Sequence, residues 1–286
     1  MMMSMNKNRF WRGLKKGLMY FIAIFAAMVT FFPLIVTFVS SLKTNEEILL
    51  GMFSWPKVWN FGNYPEAVRA ANAFKAIGNS LFVAIATLVV TVIIAMPGAY
   101  AIARKNYSYL KAVYILFMAG VMVPVHCTLV SVTKISSALG TKNSYIFLIL
   151  IYTAFNLSQA VFLFTGYISS LDKGLDEAAK IDGCSDLRIL VQILLPICKP
   201  IIATEAILVF IYGYSELIFS LILITDSTKY TISRAMLNFT SNFTTDYGPQ
   251  FAFVIMSMIP MLVIYLILHE KVEAGMLAGK FQLVQR

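Results

Sequence analysis

Long apolar runs with almost no charged residue recur along this chain, and shorter polar segments separate them. Each run is close to the roughly 20 residues that a helix needs to cross the hydrocarbon core of a bilayer. Because backbone groups in lipid must be paired within the segment, we expect the runs to be helices. They predict six spans, at 17–41, 77–102, 112–133, 145–168, 199–225 and 251–268. The chain is therefore predicted to be an all-α integral membrane protein.

The composition supports a membrane protein over a soluble one. Hydrophobic residues make up 59% of the 286 residues and charged residues 13%, whereas soluble domains have about 45–50% and about 25%. The net charge of +9 is typical of nucleic-acid-binding proteins, but basic residues also flank membrane spans. We therefore expect lipid, and no nucleic acid, as a partner. The three cysteines have no CxxC spacing, so neither a disulfide framework nor a metal site is predicted.

Lysine and arginine concentrate in alternate polar segments. Most of the 23 basic residues lie at 1–16, 104–111, 173–199 and 269–286. The positive-inside rule places these segments in the cytoplasm and predicts an N-in, C-in topology. The first apolar run is too long for the h-region of a signal peptide, so we expect an uncleaved first span. The predicted organisation is a transmembrane domain at 17–268 between cytoplasmic tails at 1–16 and 269–286.

The most polar internal segment, 171–196, falls on the predicted cytoplasmic side. Its first part predicts a short helix from Leu175 to Asp182, because four residues at helical spacing share one face. These residues are Leu175, Ala178, Ala179 and Asp182. Gly183 is placed to end the helix. The residues alone leave two interpretations open: an amphipathic connector on the membrane surface, or a helix whose small residues enter a groove on a cytoplasmic partner.

The same segment carries a motif with fixed spacing. Its positions are Glu177, Ala178, Ala179, Gly183, Ile193, Leu195 and Pro196. Their identities and order resemble the EAA signature of ABC importer permeases, which lies in the cytoplasm before the penultimate span. The resemblance implies that these residues, together with Asp182, couple the chain to an ATPase. In that family the helix enters a cleft of the ATPase and transmits its closure.

The resemblance covers most of the chain and is strongest to maltose-type, MalG-like carbohydrate permeases. Trp59 to Tyr64 is similar to an outer-loop element of that family, and Tyr100 to Arg104 is similar to the end of its second span. The tail residues Gly275, Gly279 and Lys280 resemble the glycine-rich ending of the family. The resemblance implies that this tail also contacts the ATPase.

The resemblance also implies a division of labour in the cell membrane. This chain would form half of a translocation pore, and a second permease subunit, as a heterodimer, would form the other half. A cytoplasmic ABC ATPase dimer would drive transport, and an extracytoplasmic binding protein would deliver a carbohydrate, expected to be an oligosaccharide. The chain has no phosphate-binding loop of the GxxxxGKS/T type. We therefore expect no enzyme activity and no cofactor in it, with ATP and Mg held by the ATPase.

Polar side chains inside the predicted spans are candidates for the pore or the substrate site, because such groups are costly in lipid. In the fifth span Glu205, Glu216 and Tyr212 share one helical face. The full set of candidates is Glu216, Tyr214, Tyr212, Asn156 and Gln159. Each has an alternative role in hydrogen bonds between helices. The sequence departs from the family pattern at two places. Tyr214-Ser215-Glu216 stands in place of Trp-Asn-Glu, and Asp172 stands in place of a proline, so the resemblance does not identify a particular sugar.

Two other classes of transporter remain open at this point. The first is the same importer class with a cargo other than sugar, because the EAA motif reports coupling and not cargo. The second is an ion-driven secondary transporter, which would tend to have inverted repeats, and the sequence has no clear internal repeat. A membrane enzyme is disfavoured, because the sequence has no metal-ligand cluster and no nucleophile–base motif, so we predict no catalytic residue.

Overall fold

A computed structural model describes residues 2–240 and 244–284, with side chains at 15–240, 244–267 and 269. Within this part of the chain the regular structure is helical, and the only β pairing is an isolated bridge between Thr240 and Thr245. The helices are α1 Met2–Ser40, α2 Asn45–Leu50, α3 Asn63–Ala71, α4 Ala73–Arg104, α5 Ser108–Val121, α6 Leu129–Ala138, α7 Tyr145–Ser170, α8 Gly174–Ile181, α9 Asp186–Arg188, α10 Leu195–Ile197, α11 Lys199–Ser215, α12 Ile218–Leu223, α13 Ile232–Ala235 and α14 Tyr247–Val284. The all-α prediction is confirmed.

Four of the described helical segments are long and apolar enough to cross a membrane by themselves. They are Lys15–Ser40, Ala73–Arg104, Tyr145–Ser170 and Tyr247–Ile267. Two bent pairs bring the number of candidate spans to six if each pair is one span. Ser108–Val121 and Val125–Ala138 meet at 95°, and Asp186–Ile197 meets Lys199–Ser215 at 78°. Length and composition therefore allow four to six spans among these residues.

The structure divides the third predicted span, 112–133, into two helices. Helix α5 ends at Val121, and a 3-10 turn at Val125–Thr128 leads into α6. Pro124 lies at the break. Proline disfavours helical backbone at the residue before it and supplies no N–H to the preceding turn. The apolar run is continuous in the sequence, so a hydropathy pattern alone could not reveal this bend.

The fifth predicted span, 199–225, also contains a break. Helix α11 ends at Ser215, and α12 begins at Ile218. Glu216 has extended backbone, with φ −63° and ψ 128°. Its side-chain oxygens accept the N–H groups of Phe219 at 3.0 Å and Ser220 at 3.3 Å. The glutamate thus caps the first turn of α12 as an N-cap side chain does.

One compact unit comprises 71–238 and 257–286. Inside it α4 packs along α7 and α11. Gly213 of α11 lies so close to α4 that a Cβ there would meet the Cα of Ala84 at 3.2 Å. Small residues allow such close backbone approach between membrane helices. The contact fixes α11 against the middle of α4.

The other compact unit comprises 1–70 and 239–256. Its centre is the buried Lys43, whose Nζ donates to the carbonyl oxygens of Gly51 and Met52 at 3.0 Å each. Asn63 Nδ2 donates to the carbonyl oxygen of Lys43 at 2.8 Å, and a Cβ on Gly248 would lie 2.8 Å from the same nitrogen. The segment 42–70, which lies between the first two predicted spans, is therefore packed within this unit.

Candidate functional site

Helix α8, Gly174–Ile181, is the helix that the sequence predicted from Leu175 to Asp182. Asp172 Oδ1 accepts the N–H of Gly174 at 2.9 Å and so closes the turn that leads into the helix. Asp176 and Glu177 lie in the first turn, where negative charge suits the helix dipole. Gly183 follows the helix with φ +79°, in the left-handed region that favours glycine. Local sequence is therefore sufficient to define both ends of α8.

The EAA residues point in different directions. Glu177, Ala178 and Asp182 are exposed, whereas Ala179 is buried against the core of its own chain. The apolar Ile181 beside them is 88% exposed. A surface with acidic, small and apolar groups together is thus left open at one side of α8.

The second half of the motif belongs to the helix that follows. Ile189–Leu194 forms a π-helical turn in which the N–H of Leu195 donates to the carbonyl oxygen of Leu190. Ile193 packs against the core, whereas Leu195 and Pro196 are exposed. Ile189 and Leu194, which the sequence analysis did not single out, are fully buried. This part of the motif ties α8 to the helical core.

A buried ion pair joins α8 to the end of α4. Arg104 Nε lies 2.8 Å from Asp176 Oδ2, and the two side chains are 5% and 8% exposed. Arg104 Nη1 also donates to the carbonyl oxygen of Leu171 at 3.1 Å, and Nη2 to that of Asp172 at 3.4 Å. The last residue of α4 therefore holds the start of the segment 171–196 at three points.

A second anchor holds the other end of the segment. Lys105 Nζ lies 2.5 Å from Asp186 Oδ2, and the Tyr100 hydroxyl donates to Asp186 Oδ1 at 3.2 Å. Asp186 is the first residue of α9, shortly after α8. Neighbouring residues at the end of α4 thus bind both flanks of α8.

Sequence reasoning did not find these anchors. Tyr100 to Arg104 resemble a family element, but nothing in the sequence indicates that they contact Asp176 or Asp186. The available signal was the placement of two adjacent basic residues at the predicted cytoplasmic end of the second span. Because acidic residues also flank α8 on that predicted side, pairing was a possible inference, but the partners could not be matched.

Among the candidates for the pore, Glu216 has its carboxyl occupied within the fold. It is 8% exposed, and it accepts the Tyr152 hydroxyl at 2.5 Å as well as two backbone N–H groups. The ring of Tyr212 packs edge-on against Tyr152, with centroids 5.5 Å apart. These contacts give Glu216 a structural role at the break after α11. Its lining of the pore stays a prediction.

The remaining pore candidates lie in the helical core. Tyr214 is buried and its hydroxyl donates to the carbonyl oxygen of Ser257 at 2.9 Å. Asn156 is buried and its Nδ2 donates to the carbonyl oxygen of Tyr152 at 2.7 Å. Gln159 is half-buried and faces Glu205, which is fully buried. The structure brings Glu216 and Tyr212 together around Tyr152, whereas Tyr214 bonds to Ser257 and Gln159 faces Glu205.

The predicted tail contact involves Gly275, Gly279 and Lys280. Their backbone continues helix α14, but their side chains lie outside the described residues, so the contact stays a prediction. In the described part of the chain, no group of three or more His, Cys, Asp or Glu side chains is arranged to hold a metal ion.

Known proteins resemble this chain in sequence and in fold. The family described as "Binding-protein-dependent transport system inner membrane component" matches residues 95–277. A diacetylchitobiose uptake system permease of Streptomyces coelicolor is 30% identical over 90% of this chain and 85% of its own length. A multiple sugar-binding transport system permease of Streptococcus mutans is 31% identical over 95% and 96%.

The fold also matches a solved structure. A chain of a bacterial ABC transporter involved in the import of alginate superposes with a TM-score of 0.75 at 20% identity, covering 88% of this chain and 93% of that one. The fold and the apolar helices agree with a multi-pass protein of the cell membrane. This chain belongs to the family of inner membrane components of binding-protein-dependent transport systems.

Proposed function

We propose that this chain is a permease subunit of an ABC importer for carbohydrate, coupled to its ATPase through α8. The observation that carries the proposal is the exposed surface of Glu177, Ala178 and Asp182 on a short helix that its own chain anchors at both flanks. Family membership implies a partner ATPase and a binding protein, and usually a second permease. The exposed surface supplies a place for the ATPase.

The anchors define how motion would leave the coupling helix. A partner that moves α8 also moves Asp176, and through the buried ion pair it moves Arg104 at the end of α4. The fully buried Ile189 and Leu194 connect the same segment to the core that α7 shares. We infer that α4 carries the motion together with the fourth and fifth predicted spans. ATP and Mg remain on the ATPase.

The carbohydrate assignment rests on the relatives. The relatives named for diacetylchitobiose and for multiple sugars align with this chain over at least 85% of the length of each protein. We propose an oligosaccharide delivered by an extracytoplasmic binding protein. A relative from Synechocystis named for uptake of osmoprotective compounds is 28% identical, so the same importer class with a cargo other than sugar is kept as the second candidate.

The second permease would cover surface that this chain leaves open. The apolar side chains of α1 from Leu18 to Phe38 are largely exposed. Lipid or another permease would cover such a surface, because contact between apolar side chains and water is unfavourable. We propose a heterodimer with a second permease, with the pore formed between the two subunits.

Co-purification tests the whole proposal. The chain, expressed together with its neighbouring genes, is purified in mild detergent, and the proteins retained with it are identified by mass spectrometry. We expect a second permease and an ABC ATPase, and we expect a sugar-loaded binding protein to stimulate ATP hydrolysis. Recovery of the chain without an ATPase, with uptake that follows an ion gradient, would replace this proposal with a secondary transporter.

A substitution at the exposed surface tests the coupling helix itself. Ala178→Leu adds bulk outside the core, so we expect normal folding with loss of the retained ATPase and of transport. Ala112→Leu is the matched control, because Ala112 is an exposed alanine of α5 away from the motif. Normal transport by Ala178→Leu would remove α8 from the coupling interface.

A further inference from the structure

A cavity of about 460 Å³ lies between the end of α4, the start of α5 and the residue that precedes α8. Four of the residues that line it are basic: Arg104, Lys105, Lys111 and Lys173. No acidic residue is among those lining this cavity. The basic residues thus line one half-open pocket rather than a flat surface.

Half of this charge is already balanced. Arg104 pairs with Asp176 and Lys105 pairs with Asp186, and both acids lie outside the lining. Lys111 and Lys173 are exposed, and neither takes part in a salt bridge among the residues that the structure describes. The cavity therefore keeps a surplus of about two positive charges, which favours an anionic ligand.

Apart from Asn106, the rest of the lining is apolar or aromatic. Ile102 lines it from α4, and Leu110, Tyr114 and Ile115 line it from α5. Ile115 and the next residue, Leu116, are 66% and 72% exposed, on a helix of a predicted span. The wall thus runs from the cationic end of the cavity to a surface suited to lipid chains. A ligand that fits has an anionic head and a hydrocarbon tail.

We propose that this cavity binds the headgroup of an anionic phospholipid of the inner leaflet. Lys111 and Lys173 contact the phosphate, and the acyl chains follow Ile115 and Leu116. Basic pockets between membrane helices are suited to such headgroups. Lys173 is the residue before Gly174, the first residue of α8. A bound headgroup therefore lies next to the coupling helix, so the lipid stabilises the position of that helix.

Native mass spectrometry tests the site on the full chain with the subunits that co-purify with it. Phosphatidylglycerol and phosphatidylcholine with the same acyl chains are titrated into the detergent solution. We expect tighter retention of phosphatidylglycerol, weakened about fivefold by Lys111→Gln or Lys173→Gln and about 25-fold by both together. Lys111→Arg keeps the charge and should retain the lipid. Unaltered elution in gel filtration shows that each variant is folded.

The control is Lys199→Gln, which removes an exposed lysine from the same predicted side of the membrane but outside the cavity. We expect it to leave phosphatidylglycerol binding unchanged. An equal loss in this control would mean that general surface charge holds the lipid, and the site would be rejected. Equal retention of both lipids, or no effect of the two cavity variants, also overturns the proposal. Displacement by glycerol phosphate at the same concentration as the lipid would show that the acyl chains add nothing to binding, and it would assign the cavity to a soluble phosphate. None of these results depends on the cargo or the ATPase.

Discussion

Glu177 of α8 and Glu216 after α11 are both glutamates that the sequence marked as functional, and their environments are opposite. Glu177 is exposed on a short helix. Glu216 is 8% exposed and accepts a tyrosine hydroxyl and two backbone N–H groups. An acidic residue in an apolar run can therefore have a structural role, with its carboxylate bonded to groups of its own chain. An acid on an exposed helix between two anchors remains available to a partner.

The largest effect on stability is expected from the anchor of α8. Arg104→Met leaves Asp176 buried without its cation, and breaking a buried pair costs about 3–5 kcal/mol. Equilibrium unfolding in mixed micelles measures the loss, and the double variant Arg104→Met/Asp176→Leu should recover much of it. Arg69→Met is the control, since the Arg69–Glu66 pair is 3.8 Å apart and largely exposed. Equal losses in Arg69→Met and Arg104→Met would contradict the anchor.

A smaller effect is expected at Glu216. Glu216→Ala leaves the Tyr152 hydroxyl and two N–H groups without their acceptor, at a cost of about 1–3 kcal/mol in unfolding free energy. Tyr152→Phe completes a double-mutant cycle that isolates the side-chain hydrogen bond. If Glu216 instead serves only the transport path, uptake will fall while the unfolding midpoint stays where it was.

A still smaller effect is expected where α11 crosses α4. Gly213→Ala places a Cβ 3.2 Å from the Cα of Ala84, so the helices must separate slightly, at about 1 kcal/mol. Gly166→Ala is the matched control, because no atom lies within 4 Å of its added Cβ. Alanine should be neutral or stabilising there. A comparison of the two unfolding midpoints decides whether the close approach matters.

The smallest change in stability is expected for Glu177→Gln. The side chain is exposed, so the unfolding free energy should shift by no more than about 0.5 kcal/mol. We nonetheless expect less ATPase to co-purify with the variant. Quantitative mass spectrometry of the purified complex would measure this amount. A large loss of stability without any change in ATPase retention would make Glu177 a packing residue like Glu216.

Sequence reasoning succeeded where the determining forces are local. Apolar runs predicted the helical class, and the spacing of Leu175 to Gly183 predicted α8 to within a residue of its ends. It failed where the structure depends on contacts between residues that are distant in the sequence. Arg104 bonds to Leu171, 67 positions away, and no local pattern pairs those two residues. The break after α11 occurs at Glu216, a polar residue inside an apolar run, and an average of hydropathy over that run does not reveal it.

The two anchors of α8 also determine what kind of movement it can make. Arg104 and Lys105 are consecutive residues: Arg104 holds the chain before the helix and its first turn, and Lys105 holds the chain just after the helix. The segment is therefore a closed loop whose two ends meet at one point, the end of α4. With that base fixed, we expect α8 to swing about it as a lever rather than slide along the membrane. A push at its free surface would reach α4 as a torque.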